Sequence, residues 1–331
     1  MASFNGTLSD QLNISLRRIN RDLERVILHD PDVPSRSIVA KSVLDLIRAG
    51  GKRLRPMMTI VGSRFGTDVE SEDVYRLASA AELIHVASLI HDDILDQSDT
   101  RRGQPALHCK TGIYDAVHIG NYIMCRVIEL LTASGKDHEP YAHDLASITT
   151  TQLCLGEYQQ MELKYNFDLS LDAYWEKTRN KTALLMATCL QLGAKAAGAD
   201  EHVIDQLYAF GDQLGMAFQV RDDILDFTQS SESLGKPAGV DLRNGHATLP
   251  VILAMRDASI AAKIHGLKAD SPDDAFDEAI ALIHRSGTLD EALQMSHEFM
   301  KQAWNITEQL SSYPAHRDLK ALWHYFEART Y

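Results

Sequence analysis

Apolar residues recur at every third or fourth position along much of the chain, and this spacing constrains the fold more than any other feature. Near the start they are separated by four, four, three, four and three positions: Leu8, Leu12, Leu16, Ile19, Leu23 and Val26. Such spacing is typical of one face of an amphipathic helix. We therefore predict a helix over Leu8–Val26, and the same pattern predicts helices over residues 77–91 and 207–220.

Features that would interrupt helices or indicate strands are scarce. Only nine prolines occur, and none lies between Pro140 and Pro237. Because proline breaks helices and central strands, that stretch must contain long uninterrupted elements. The period-two alternation of strands is almost absent, and no linker rich in Gly, Ser or Pro divides the chain. We predict an all-α fold of about a dozen helices in a single domain over residues 1–331.

Charge and cysteine content exclude several classes of protein. The chain carries 33 Lys and Arg against 46 Asp and Glu, a net charge of −13, which disfavours a nucleic-acid partner. Four scattered cysteines fit neither a zinc site nor a disulfide framework and suit the cytoplasm: Cys109, Cys125, Cys154 and Cys189. No signal-peptide pattern is visible, and no apolar run approaches the roughly 20 residues of a membrane span. We therefore expect a cytoplasmic protein without stable membrane insertion.

The pentapeptide Asp-Asp-Ile-Leu-Asp occurs twice, at residues 92–96 and 222–226. Its two copies supply six carboxylates: Asp92, Asp93, Asp96, Asp222, Asp223 and Asp226. In a helix, residues four apart differ by about 40°, so the outer aspartates of each copy share a face. Their mutual repulsion is relieved by cations, and oxygen-only ligands suit Mg²⁺, which also bridges to substrate phosphates.

Two interpretations of these clusters remain open. Each could be a solvated helix face. However, the copies are identical, and each ends an apolar stretch. These two features favour facing acidic helices around a metal-bound diphosphate.

Basic residues occur close to both clusters in the sequence. The segment Gly50–Pro56 contributes Lys52 and Arg55, the pair Arg101-Arg102 follows the first cluster, and Lys236 follows the second. Arginine suits bidentate phosphate contacts and lysine suits point-charge contacts. The glycine spacing around Lys52 is not that of a P-loop.

Eight segments in this order resemble the trans-isoprenyl (polyprenyl) diphosphate synthases over nearly the whole chain. They are GGKRLRP (50–56), ELIHVASLIHDDILD (82–96), RRGQPALH (101–108), LGEYQQ (155–160), KTA (181–183), AFQVRDDILD (217–226), GKPAGVDL (235–242) and ATLP (247–250). The resemblance implies an all-α isoprenoid synthase-type bundle around a deep central cavity, usually in a dimer. It also implies head-to-tail condensation of isopentenyl diphosphate with an allylic diphosphate.

The resemblance also implies roles for single residues. The six aspartates would hold three Mg²⁺ ions on the allylic diphosphate, which Arg101, Lys181 and Lys236 would contact directly. The isopentenyl diphosphate would be held by Lys52, Arg55, His85 and Arg102. Thr182 and Gln219 would lie near the developing allylic cation. Without the resemblance, His85 is better interpreted as a core histidine.

Two positions depart from the family pattern. His246 stands where Lys is common, and a neutral imidazole there would weaken a diphosphate contact or make it pH-sensitive. Asn121 stands where Asp is common, which keeps hydrogen bonding but loses charge. Neither change removes a metal ligand.

Small residues precede the first cluster on the face that would border the growing product. Ser88 and Ala87 lie about one turn before Asp92, and Ile84 lies two turns before it. A large aromatic at 87 or 88 would block chain growth, so we expect a product longer than farnesyl. Alternatively, the small side chains serve only close helix packing. The candidate floors of the cavity are Ile84 and side chains of the 117–131 segment.

The pattern is most similar to long-chain synthases such as the catalytic component of heptaprenyl diphosphate synthase. We therefore expect a homodimer, or a heteromer with a small regulatory subunit. The alternatives are a short-chain farnesyl or geranylgeranyl diphosphate synthase, a noncatalytic regulatory subunit, a class I terpene cyclase and a structural helical protein. A regulatory subunit could lose aspartates, a cyclase would lack the isopentenyl diphosphate residues, and a structural protein would not explain two identical clusters beside basic segments.

Overall fold

The computed structural model describes residues 6–132, 151–228 and 238–328 of the chain. The prediction of an all-α architecture is confirmed, because helices make up nearly all the regular structure of these residues. Within them, the strands are two residues long: β1 (Thr100–Arg101) and β2 (Gln104–Pro105) form an antiparallel hairpin, with Arg101 opposite Gln104.

Seventeen helices are described. Up to residue 132 they are α1 (Leu8–Gln11), α2 (Leu16–Leu28), α3 (Ile38–Arg48), α4 (Leu54–Ser63), α5 (Glu72–Leu95), α6 (Leu107–Thr111) and α7 (Ile113–Thr132). From residue 151 they are α8 (Thr151–Glu162), α9 (Leu171–Thr178), α10 (Leu184–Ala196), α11 (Glu201–Thr228), α12 (Val240–Arg243), α13 (Leu249–Ala254), α14 (Ala258–Ile264), α15 (Asp273–Arg285), α16 (Thr288–Gln309) and α17 (His316–Glu327). A π-helical turn, Arg179–Ala183, joins α9 to α10.

Serine side chains determine where several helices begin. The N-cap residues Ser15, Ser37, Ser71 and Ser170 each accept the backbone N–H of the residue three positions later. A serine oxygen at this position satisfies an N–H group that has no partner inside the helix. These caps set the start of α2, α3, α5 and α9.

The prediction of one helix over Leu8–Val26 is wrong, because the chain forms two helices there. Asn13 adopts a positive φ of 51°, and Ser15 caps the second helix. Leu8, Leu12 and Leu23 are nevertheless all buried. Their spacing reflects a common core and not a continuous helix.

The contacts divide the chain into two compact units. The first comprises Met1–Thr150, Thr188–Tyr208 and Leu310–Ala321, and the second comprises Thr151–Ala187, Ala209–Gln309 and Leu322–Tyr331. The expectations of a single domain and of a central cavity stay predictions.

In the first unit, α4 and α7 pack against the long helix α5. Helix α4 also approaches α10 closely at two glycines. A Cβ atom added at Gly62 would overlap the carbonyl oxygen of Leu190, and one added at Gly193 would overlap that of Thr59. Such overlap excludes any side chain at either position.

The second unit is built around an aromatic and aliphatic core. Val220, Ile224 and Phe227 of α11 insert into it, beside the buried helix α13. At about 100° per residue, this inward face leaves Asp222 and Asp226 on the opposite side of α11. Packing of the apolar face therefore orients the second acidic cluster.

Among the described residues, no helix combines the length and apolar character needed to cross a bilayer.

Candidate active site

The first acidic cluster lies at the C-terminal end of α5, in the first unit. Asp92 and Asp96 are partly exposed, whereas Asp93 is only 4% exposed. Arg101 of the hairpin donates to the Asp93 carboxylate through Nε at 2.9 Å and through a second guanidinium nitrogen. The hairpin that follows α5 thus neutralises the middle aspartate and leaves the outer two on an accessible face.

Arg101 is influenced by the whole cluster. Burial lowers the pKa of its guanidinium, but the hydrogen bond and charge of Asp93, together with the charges of Asp92 and Asp96, outweigh burial and raise it. The predicted diphosphate contact Arg101 is therefore a fully charged side chain that is already paired with a carboxylate.

The second acidic cluster has the same arrangement on α11, in the second unit. Asp222 and Asp226 are partly exposed, whereas Asp223 is 2% exposed. The Asp223 carboxylate accepts hydrogen bonds from Tyr174 Oη at 2.7 Å, Gln219 Nε2 at 2.9 Å and the Leu249 backbone N–H at 3.1 Å. In both copies, protein donors bind the middle aspartate.

Asp226 connects the second cluster to α12. Its two carboxylate oxygens accept the backbone N–H groups of Val240 and Asp241, both at 3.0 Å. These contacts bring a further acid into the site, because burial, followed by repulsion from Asp226 and Asp223, raises the pKa of Asp241 to about 7. Burial and two neighbouring carboxylates thus both disfavour the ionised form of Asp241.

The donor set of each cluster, taken by itself, fits Mg²⁺. Among the residues that the structure describes, no three His, Cys, Asp or Glu side chains converge enough to hold an ion without other ligands. Mg²⁺ is usually bound by one or two carboxylates, with water and phosphate oxygens completing the shell. Asp92 and Asp96 in one unit and Asp222 in the other supply accessible carboxylates. The raised pKa of Asp241 marks charge that a divalent cation would relieve.

The π-helical turn presents Lys181 and Thr182. Lys181 Nζ lies 2.9 Å from Glu157 and 3.2 Å from Gln160 of α8. Thr182 Oγ1 donates to Gln219 Oε1 at 2.8 Å, and Gln219 in turn donates to Asp223. Thr182 and Gln219, the predicted neighbours of the allylic cation, are thus joined to Asp223 of the second cluster by a continuous chain of hydrogen bonds.

Sequence reasoning missed three residues of this region: Tyr174, Lys177 and Asp241. Tyr174 and Lys177 lie seven and four residues before Lys181, the spacing of one helix face. Lys177 lies over the Tyr174 ring, and burial lowers its pKa. The helical period could have found both residues, and Asp241 lies inside the segment GKPAGVDL.

Three of the predicted isopentenyl diphosphate residues come together in the first unit. Burial, followed by the charges of Arg55 and Arg102, lowers the pKa of His85 well below its ordinary value. His85 is therefore a neutral imidazole among arginines. Lys52, the fourth predicted residue, is exposed on the turn before α4.

Arg53 holds that turn in place. It adopts a left-handed conformation with φ 51°, and its buried guanidinium donates to Glu82 at 2.7 Å and to Asn20 at 2.8 Å. A guanidinium nitrogen of Arg102 donates to the Gly50 carbonyl oxygen of the same turn. Within the described residues, the buried Nε of Arg55 has no hydrogen-bond acceptor, which leaves a donor for a ligand oxygen.

The remaining predicted residues lie as follows. Ile84 and Ala87 are buried on α5, and Ser88 Oγ donates to the His85 carbonyl oxygen at 2.9 Å. His246 is buried, whereas Asn121 is exposed on α7. Lys236 lies outside the described residues.

Comparisons with known proteins agree on one family. The family model "Polyprenyl synthetase" matches residues 36–283. The heptaprenyl diphosphate synthase component 2 of Geobacillus stearothermophilus is 37% identical over 320 residues, which cover 97% of each chain.

Two solved structures have similar folds. The heptaprenyl diphosphate synthase of Staphylococcus aureus matches with a TM-score of 0.87 and 33% identity, and coverage is 97% of both chains. A polyprenyl synthase of Caulobacter crescentus, complexed with calcium and isoprenyl diphosphate, matches with a TM-score of 0.84 and 32% identity, again over 97% of both chains.

Proposed function

This chain belongs to the polyprenyl synthetase family and is a prenyltransferase, and we propose that it elongates an allylic diphosphate by head-to-tail condensation with isopentenyl diphosphate. The primer is farnesyl or geranylgeranyl diphosphate, the metal is Mg²⁺, and the product is a medium-to-long all-trans polyprenyl diphosphate. The Caulobacter relative, which binds calcium and isoprenyl diphosphate, supports a divalent metal and this class of ligand.

The observation that carries the proposal is the shared arrangement of the two acidic clusters. In each, the middle aspartate is buried and bound by protein donors, whereas the outer two are partly exposed, although Asp226 also accepts two backbone N–H groups. A helix face that is merely solvated would not bury the middle aspartate in both copies. Accessible oxygen ligands held on a rigid helix are what a metal–diphosphate site needs.

The chemistry begins with ionisation of the allylic carbon–oxygen bond. Negative charge then develops on the departing diphosphate, and Mg²⁺ held by the outer aspartates would stabilise that charge. Arg101 and Lys181 are the described side chains that we assign to the same diphosphate. Lys236 is assigned to it from the family pattern alone.

The second substrate is held by a separate set of cations. We assign Arg55, Arg102 and Lys52 to isopentenyl diphosphate, whose double bond attacks the allylic cation. Holding it in line lowers the entropic cost of bringing the two reactants together. His85 offers a neutral hydrogen-bonding group there, and its depressed pKa makes it a poor proton acceptor. The released diphosphate takes the proton instead.

Product length depends on the face of α5 that carries Ser88 and Ala87. Neither side chain is large enough to obstruct a chain that grows past the first cluster. This supports a product longer than farnesyl, and a short-chain geranylgeranyl synthase is the alternative.

Assembly as a homodimer is supported by exposed apolar side chains on two helices. Tyr114 and Ile128 of α7 are 85% and 53% exposed, and Leu155 and Tyr158 of α8 are exposed to a similar degree as Ile128. Exposed apolar stripes of this kind mark association surfaces. The name of the Geobacillus relative, a "component 2", supports a heteromer with a second polypeptide as the alternative.

A cytoplasmic location is the last part of the proposal. The free cysteines of the described residues include three exposed thiols, Cys109, Cys125 and Cys154, which suit a reducing compartment.

Product chromatography tests the function directly. The purified chain is incubated with Mg²⁺, farnesyl diphosphate and isopentenyl diphosphate, and the products are sized after removal of phosphate. We expect chains beyond geranylgeranyl, and Asp92→Asn should reduce turnover about 100-fold or more. Elongation that stops at geranylgeranyl would contradict the chain-length proposal. Activity that returns only with a second polypeptide would favour the heteromer.

A further inference from the structure

A cavity of about 200 Å³ lies in the first unit, next to the first acidic cluster. Its walls come from α3, α5, the hairpin and α6. Of the four side chains assigned above to isopentenyl diphosphate, Arg102 lines the cavity, whereas Lys52, Arg55 and His85 do not, so the cavity overlaps that set at one residue only.

The cavity borders the side of α5 opposite to Ser88 and Ile84, two of the residues assigned to the path of the growing chain. Its α5 residues include Val86, Ile90 and Asp93. At about 100° per residue, these residues cluster around a direction about 150–170° away from Ser88 and Ile84, and about 90° away from the buried Ala87. A molecule in the cavity would therefore not occupy the path of the product.

The lining combines an apolar body with a cationic side. Leu46 of α3, Leu89 of α5 and Leu107 of α6 supply apolar surface, whereas Arg101, Arg102 and Lys110 supply positive charge. Asp45 and Asp93 also line the cavity, and Asp93 is neutralised by its ion pair with Arg101. The net charge therefore favours an anion attached to a short apolar group.

The volume limits the size of that group. A cavity of about 150 Å³ accepts benzene in an engineered protein core, so this cavity has room for a branched five-carbon chain. We propose that it is an inhibitory site for a five-carbon organic phosphate, with the carbon chain against Leu46 and the phosphate near Lys110 and Arg101.

Inhibition follows from the shared arginines. A phosphate in the cavity would compete for guanidinium donors of Arg101 and Arg102, which we assign to the substrate diphosphates. By linkage, each ligand then weakens the other. The inhibition rests on the proposed function, whereas the binding does not.

The probe is 3-methylbutyl phosphate, which lacks the double bond and the diphosphate of a substrate. Its binding to the full chain is measured by calorimetry without Mg²⁺. Leu46→Trp is designed to fill the cavity. If this variant does not fold, Ala49→Phe, which narrows the mouth of the cavity, takes its place. Lys41→Trp, on an exposed position of the same helix outside the lining, is the matched control.

We expect saturable binding that is weakened at least tenfold by the filling variants and less than twofold by the control. Lys110→Ala should weaken binding of the phosphate several-fold but leave binding of neutral 3-methylbutanol unchanged. In the prenyl transfer assay, the filling variants should raise the inhibition constant of the probe at least tenfold, with the KM for isopentenyl diphosphate within twofold of wild type.

Two results would overturn the proposal. One is the absence of saturable binding to the wild-type chain. The other is binding or inhibition that the filling variants leave unchanged, since the probe would then occupy the isopentenyl diphosphate residues. The chain could lack prenyl transfer activity and still bind the probe, with Leu46→Trp weakening that binding. This result would contradict the proposed function and the inhibition, but not the ligand site.

Discussion

At the scale of single residues, two identical pentapeptides divide their aspartates in the same way. Asp93 is buried against Arg101, and Asp223 is buried against Tyr174, Gln219 and a backbone N–H. The burial removes these two carboxylates from the accessible faces. We therefore expect the middle aspartates to serve stability and the outer ones to serve metal binding.

The pair Asp223→Asn and Asp222→Asn separates these roles. Replacing Asp223 places an amide NH₂ among three donors, so unfolding in urea should require about 1–3 kcal/mol less free energy. Asp222 is more exposed, so its change should alter stability by less than about 0.5 kcal/mol but reduce turnover about 100-fold or more. Equal stability of both variants would contradict the assignment of Asp223.

Asp241 makes the stability of the metal-free chain depend on pH. The pKa of Asp241 is about 7 in the folded state, whereas its ordinary value is 3.8. At pH values between these two, the folded chain therefore holds one proton more than the unfolded chain. Stability from this group therefore rises as pH falls through 7. Between pH 8 and pH 6 the gain is about 1.4 kcal/mol relative to Asp241→Asn. Urea unfolding of both proteins in the presence of a metal chelator measures this gain in stability. If the free energy of unfolding depended on pH in the same way for both proteins, the prediction would be wrong.

At the scale of elements, α5 has two faces with different expected roles. Ser88 and Ala87 lie on the face assigned to the product, whereas Leu89 borders the cavity on the other side. Ala87 is completely buried, but Ser88 is partly exposed. The structure thus separates two positions that look equivalent in the sequence.

Aromatic substitutions test that separation. Ser88→Phe should shorten the longest product by at least one isoprene unit without loss of fold, because Ser88 is partly exposed and not enclosed in the core. Ala87→Phe should instead destabilise the chain by about 1–3 kcal/mol through overpacking. Leu89→Phe is the control, and products should keep their wild-type length. Chromatography and thermal melting give both readouts, and a shift caused by Leu89→Phe would place the growth path elsewhere.

The close approach of α4 and α10 depends on glycine. Gly193→Ala would force a Cβ atom into the Thr59 carbonyl oxygen and should cost about 3 kcal/mol or more. Gly156→Ala on α8 meets only ordinary contacts and serves as the control. A denaturant titration of both variants checks this, and a Gly193→Ala protein of wild-type stability would contradict the packing.

At the scale of the whole molecule, the exposed apolar side chains of α7 are the surface that the proposed homodimer would bury. If they form a homodimer interface, a charge placed there should separate the subunits. Ile128→Glu and Tyr114→Glu should therefore sediment as monomers at concentrations where the wild type is a dimer. Val69→Glu, at an apolar position that is 47% exposed, is the control. A wild-type chain that is monomeric by itself would contradict the homodimer.

Much of this molecule could be predicted from its sequence. The helical period predicted the fold class, and the two acidic pentapeptides with their basic neighbours indicated a metal-bound diphosphate, whereas the reaction itself came from the family resemblance. The break between α1 and α2 could not be predicted, because buried leucines keep the same spacing on both sides of the turn at Asn13. The helical spacing places Tyr174 on the face of Lys181, but its hydrogen bond to Asp223 could not be predicted, because the two residues are 49 positions apart in sequence.

Sequence by itself determined which groups are available: two sets of three carboxylates, the cations near them and small side chains before the first set. These properties are local, since they follow from residue type and helical period. Tertiary structure alone decided which carboxylate of each set is buried, that Arg101 pairs with Asp93, and that Asp241 holds its proton near pH 7. The reason is that burial and charge pairing depend on residues distant in sequence, which only packing brings together.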